Sequence, residues 1–161
     1  MATKTKAKKA IKAKRNTGPR KAASRPVERN QPEALRVRVL TNSLTVNDIE
    51  ASIRWYRDVV GFTVEGDMVR DGVRTGARLK AGSMILRIGQ DDWAKGRDRK
   101  KGLGFRLYLS TDQDVDKLAA RIKANGGKLD AEPESFPAYG VRAFSITDPS
   151  GFCFTISKPL D

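Results

Sequence analysis

LTVNDIEASIRWYRDVVGF, residues 44–62, is the stretch whose reading decides the fold. Its two ends are apolar and extended in character. Between them Ile49, Ile53, Tyr56 and Val60 recur at i, i+4, i+7 and i+11, one face of a helix. Asn47 stands where it can cap that helix, and Glu50 three residues on completes a capping box. Gly61 ends it as a left-handed glycine just past the last turn, and Phe62 resumes an apolar run. The stretch therefore predicts strand, capped helix, stop, strand.

Working outward, the spacing predicts a strand over residues 35–46, a helix over 48–60 and a strand over 62–69. Asp71-Gly72 is a tight hairpin signal leading into a strand over 73–80, and Ala81-Gly82 turns into another over 83–88. A polar loop follows, GQDDWAKGRDRKKG at residues 89–102. The series then restarts with a strand over 104–110 and a helix over 112–125 that carries Val115, Leu118, Ala119 and Ile122 on one face. Gly126-Gly127 stops that helix. A short strand over 128–131, another over 141–147, the turn Asp148-Pro149-Ser150-Gly151 and a strand over 152–157 complete it. The fold class predicted is α+β, built from one βαβββ unit used twice. Each unit makes a curved mixed sheet with one face covered by its helix. Two such units leave a cup between their uncovered faces, which either takes a small molecule or is only a by-product of building a core.

Composition narrows the chemistry. The chain has no histidine, so the commonest general base and the usual catalytic triads are excluded. A single cysteine, Cys153, excludes an internal disulfide and any CxxC metal knuckle. It falls between Phe152 and Phe154 and reads as packing. Nothing resembles a secretory signal or a membrane span, so a cytoplasmic protein with no membrane partner is expected. Charge is uneven: residues 1–35 hold 11 of the 32 basic residues and two of the 19 acids, leaving 21 and 17 for the rest. Residues 1–34 are Lys/Ala-rich and almost free of large apolar groups, so they are expected to be a disordered basic tail. Such a tail binds nucleic acid non-specifically through counterion release, or is simply solvated. The folded domain is expected at 35–161, with module one at 36–89 and module two at 104–158.

LTVNDIEASIRWYRDVVGF, DVDKLAARIKANGG (residues 114–127) and DPSGFCFTI (148–156), in this order and spacing, resemble the vicinal oxygen chelate superfamily, which includes glyoxalase I, bleomycin-resistance proteins and extradiol dioxygenases. The resemblance covers residues 36–158. It implies paired βαβββ modules and, in metal-using members, a divalent ion held in the cup by His, Gln or Glu from the first and last strands of each module. Carried over by position, those ligand sites fall on Thr41, Arg106, Ile85 or Arg87, and Thr155. Thr, Ile and Arg form no divalent-ion ligand set. No metal and no cofactor are therefore expected, and a binding protein is favoured over an enzyme. A divergent lyase or dioxygenase-like enzyme using Tyr108 or a carboxylate is the second class, and a nucleic-acid-associated protein acting through the tail is the third.

Strand alternation places Thr41, Ser43, Arg87, Arg106, Tyr108 and Thr155 on the cup side, with Leu44, Val46, Leu107 and Leu109 beneath the helices. Hydroxyls, a phenol and two guanidiniums suit a polar, anionic or carbonyl-bearing small molecule; the competing reading is that the two arginines pair with nearby acids. Their charge opposes a cationic drug such as bleomycin. Trp93 is a further ligand-binding candidate if the polar loop is a lid, with Arg97 and Arg99 as anion contacts; otherwise the loop is a linker with Trp93 docked on the fold. The Phe136–Gly140 segment occupies the corresponding place ahead of the seventh strand. A homodimer is expected, with the cup completed either within one chain or across two.

Overall fold

The structure, a computed structural model, describes residues 37–160. The expected tail, residues 1–34, lies outside the described residues. Eight strands form two four-stranded sheets. The first sheet contains β1 (Asn42–Val46), β2 (Thr63–Arg70), β3 (Val73–Ala81) and β4 (Met84–Gln90) in the order β1-β4-β3-β2. The second contains β5 (Arg106–Ser110), β6 (Leu129–Phe136), β7 (Val141–Thr147) and β8 (Cys153–Pro159) in the order β5-β8-β7-β6. In each, the first strand runs parallel to the last and the remaining pairs are antiparallel. The parallel pairing forces a crossover, which the helix supplies. The expected βαβββ duplication is the architecture observed. No helix among the described residues is long and apolar enough to cross a membrane.

The first helix, α1 (Ile49–Arg54), widens into a π-helical turn over Trp55–Val60 and ends on Gly61 at φ +98°. Its cap is Asp48, not Asn47: Asp48 Oδ1 accepts from Ala51 N at 2.9 Å. Asn47 is engaged elsewhere, its N–H donating to Ser150 Oγ at 2.9 Å, and Glu50 leaves the proposed capping box to bind Arg74 at 2.7 Å. Gln90 joins in, accepting from Ile49 N and donating to Asn47 O, each at 2.9 Å. Two adjacent Asx residues make the cap position ambiguous from sequence, and tertiary partners decide it. The second helix, α2 (Val115–Ala124), is regular and is capped by Asp114. Asp71 and Gly72 both have positive φ (51° and 77°), the type I′ geometry that matches strand twist.

Two strands differ from expectation. β1 begins at Asn42, and Val37, Val39 and Leu40 before it are exposed rather than paired. β6 runs eight residues where a short strand was predicted, because an edge strand tolerates Pro133 and two register irregularities.

Packing joins the halves. Leu44, Val46, Leu79, Leu86 and Ile88 from the first sheet share one core cluster with Leu107, Phe144, Ile146, Phe154 and Ile156 from the second. Tyr56, 1% exposed, sits at the joint, edge-on to Phe62 and Phe154. Each such fully buried large apolar side chain stabilises the fold by roughly 1.5–3 kcal/mol. The helix-covered faces of both sheets are thus turned into one interior.

Candidate functional site

Because the helix sides meet in a common core, the uncovered sheet faces point to solvent. On the first sheet, Ser43, Arg87 and Arg78 form one cross-strand row. On the second, Tyr108, Thr155 and Ser145 form the matching row, with Arg106 and Cys153 paired beside it. Tyr108 is 74% exposed, and Ser43, Arg87 and Arg106 are exposed as well. The alternation argument therefore sorts these side chains onto the outer faces, but the two rows lie on separate sheets, and neither is covered by the other module. Thr41 lies one residue before β1 and is exposed.

Neither predicted arginine pairs with a carboxylate among the described residues. Arg106 Nη1 instead donates to Thr155 Oγ1 at 3.1 Å and reaches Ser145 Oγ at 3.5 Å. On the first sheet, Glu65 neutralises Arg78 (3.2 Å) and Lys80 (3.1 Å), and Arg87 stands directly across from Arg78 with no acid of its own. Like charges in register repel, and the one carboxylate of Glu65 offsets only part of the charge of Arg78, Lys80 and Arg87. Ser145 was not picked out from the sequence, although alternation along β7 against the buried Phe144 and Ile146 could have found it.

Trp93 belongs to neither row. It adopts φ +60°, and Arg97 Cζ and Lys101 Nζ lie over its ring at 5.1 Å and 5.0 Å from the centroid, two cation–π contacts. Asp91 anchors the same loop: it accepts from Trp93 N (2.9 Å) and Arg99 Nη2 (2.8 Å) and pairs with the buried Lys101 Nζ at 2.6 Å. Lys101, then the Trp93 N–H, hold the Asp91 carboxyl well below the usual carboxylate range. Arg99 is committed to Asp91, and the loop has its own internal anchor in this acid.

The metal positions do not fit an ion. Thr41, Ile85, Arg87, Arg106 and Thr155 offer no carboxylate or imidazole, and Arg106 hydrogen-bonds to the neighbouring Thr155. Glu65, on the first sheet, is held by Arg78 and Lys80. Among the described residues no group of three His, Cys, Asp or Glu could hold a metal.

Two further features were not anticipated. A groove of about 700 Å³ runs along the unpaired edge of β5, floored by Phe62, Met84, Leu109 and Leu118, with Tyr108 the one predicted site residue in its lining. Tyr56 Oη donates to Asp148 Oδ2 at 2.7 Å across the module boundary. Burial, and then the charge of Asp148, push the Tyr56 phenol up; burial raises the Asp148 carboxyl despite N–H donors from Phe152 and Ser150.

A sequence profile of the Glyoxalase/Bleomycin resistance protein/Dioxygenase superfamily matches residues 37–156. The chain belongs to that superfamily. Among curated proteins it is similar to a putative glyoxylase, CFP32 of Mycobacterium bovis, at 28% identity over 121 residues, which is 75% of this chain and 44% of the relative. It thus spans less than half the length of that relative. Among solved structures it is similar to TioX from Micromonospora sp. ML1 (20% identity, TM-score 0.62, 75% of this chain and 98% of the other). It is also similar to TnmS3, an antibiotic binding protein from Streptomyces sp. CB03234 (25% identity, TM-score 0.60, 78% and 98%).

Proposed function

We propose that this protein binds a small polar or anionic molecule without a metal, in a cup assembled when two copies bring one chain's first-sheet face against the other's second-sheet face. The observation that carries this reading is the shared core. It uses up the helix sides of both modules and leaves two polar, arginine-bearing faces uncovered. Arg87 and Arg106 supply charge-assisted donors, Tyr108, Thr155 and Ser43 supply hydroxyls, and no carboxylate is spent on either guanidinium. Similarity to an antibiotic binding protein supports a small organic ligand, and the cationic donor set selects an acidic or carbonyl-bearing one.

The test combines a thermal-shift screen of small anions and aromatic carbonyl compounds with light-scattering mass measurement and elemental analysis. A ligand that stabilises the wild type should fail to stabilise Arg106→Ala and Arg87→Ala. A hit indifferent to both substitutions, or stoichiometric Mn, Fe, Ni or Zn in the purified protein, rejects this reading. A strictly monomeric protein that still binds through both arginines rejects the two-chain cup alone.

A second reading is carried by charge distribution: residues 1–35 hold 11 basic residues against two acids. In it, residues 1–34 contact nucleic acid through phosphate charge. DNA affinity should then fall steeply with salt and vanish on deletion of that segment. Retention of affinity by residues 35–161 would assign the contact to the folded body.

A further inference from the structure

We propose that the end of the first sheet carries an oxyanion-binding site, distinct from both outer-face rows and independent of the reading above. A cleft of about 630 Å³ opens there, where the strand ends meet the loop between the modules. Thr45 and Thr75 line its strand side, Arg70 stands at the end of β2, and Lys95 and Arg99 come from the loop. Its acids are Asp91 and Asp92.

The charges do not cancel. Asp91 is taken by Arg99 and Lys101 together, and Asp92 Oδ1 accepts from Ala94 N at 3.0 Å. Set against these two carboxylates the lining carries the three cations Arg70, Lys95 and Arg99, an excess of one positive charge, and Lys101 behind it further neutralises Asp91. On the same sheet Arg74 is paired with Glu50 and Asp67, and Arg78 and Lys80 with Glu65. Arg70 and Lys95 form no ion pair among the described residues. A concave site with surplus positive charge concentrates anions.

The uncommitted donors come from three separate elements. Thr45 of β1 brings a hydroxyl, Arg70 at the end of β2 a guanidinium and Lys95 of the loop an ammonium, whereas the Thr75 hydroxyl donates to Met68 O at 3.3 Å and Arg99 to Asp91. Donors contributed by three elements suit a tetrahedral group with several acceptor oxygens, a phosphate or sulfate, better than a planar carboxylate that one arginine would grip. The cleft is far larger than such a group, so it admits either the free oxyanion or its organic monoester. Thr45 shares a row with Gly89 and Gly76, two residues along the strand from the Ser43–Arg87 row, about 6.6 Å.

The experiment is an amide-resolved NMR titration of the full chain, first with inorganic phosphate and then with phenyl phosphate. The Thr45 and Thr75 amides and the Trp93 indole N–H, whose ring is packed by the loop cations, should shift and saturate. The Arg70→Ala/Lys95→Ala double variant should bind about tenfold more weakly, and Arg87→Ala should bind as the wild type does. Tighter binding of the ester assigns the site to a phosphorylated organic ligand, and equal binding assigns it to the free anion; both uphold the proposal. Shifts that never saturate at these residues overturn it, as does unchanged affinity in the double variant. An equal loss in Arg87→Ala would move the ligand to the outer face and also overturn it.

Discussion

The two modules repeat one element order but close their helices differently. In the second, α2 is regular, capped by its own Asp114, and ends at Asn125 and Gly126 without help from outside. In the first, α1 takes a residue from β4 at its start and widens to a π turn at its end. That widened segment carries Tyr56, whose ring packs on Phe154 and whose hydroxyl reaches Asp148, both in the other module. The second helix sends back one polar contact, Arg121 Nη2 to Val60 O at 3.2 Å. One module thus carries a regular helix, and the other carries the helix that couples the two.

The strongest test of this asymmetry is Tyr56→Ala. Removing a fully buried aromatic ring at the module boundary should cost about 3–5 kcal/mol in urea unfolding. Leu118→Ala, at a half-buried site on the regular helix, should cost clearly less. Tyr56→Phe keeps the ring and removes only the donor to a buried carboxylate, for about 1–3 kcal/mol. Equal losses at Tyr56 and Leu118 would mean that the two helices are equivalent after all.

The pH dependence separates the coupling acid from the loop acid. Burial raises Asp148, so its neutral form favours the fold. That contribution is fully present below the ordinary carboxylate pKa and is lost as pH rises through the raised value. Asp91 is depressed by Lys101 and the Trp93 N–H, so its contribution is present above the ordinary value and lost as pH falls through the folded one. Measured against wild type across the acid range, Asp148→Asn should therefore gain in relative stability as pH rises. Asp91→Asn should lose over the same interval. Parallel profiles for the two variants would refute the assignment.

The smallest effect concerns the two helix stops. Gly61 and Gly126 both have positive φ, so alanine at either should cost about 1 kcal/mol. A Cβ at Gly61 would also meet Arg121 Nη2 at 3.2 Å, whereas one at Gly126 meets nothing within 4 Å. Gly61→Ala should thus be the more destabilising in a thermal melt, and the reverse order would place the Arg121 contact outside the folded ensemble.

Much of this was legible in the sequence because periodicity and glycine placement are local. The Ile49–Ile53–Tyr56 face, the Asp71-Gly72 turn, the stop at Gly61 and the strand over Val141–Thr147 all follow from nearest neighbours. The inward and outward sorting of Leu107 against Tyr108 followed equally, since alternation has a period of two. What stayed hidden depends on distant partners. Asp48 rather than Asn47 caps the helix, while the Asn47 N–H donates to Ser150 across the module boundary, a partner no local spacing reports. Arg106 selects Ser145 and Thr155 rather than an acid, and Arg99 is captured by Asp91. Which faces of the two modules meet is likewise a property of the whole core, and no spacing within one module reports it.

The contact between Tyr56 and Asp148 has an evolutionary consequence. A gene fragment encoding the first half would expose an aromatic ring and leave its phenol without its acceptor. A fragment encoding the second would retain a buried acid without its donor. Exchange of one module alone would therefore break this pair unless the incoming module brought a matching donor or acceptor.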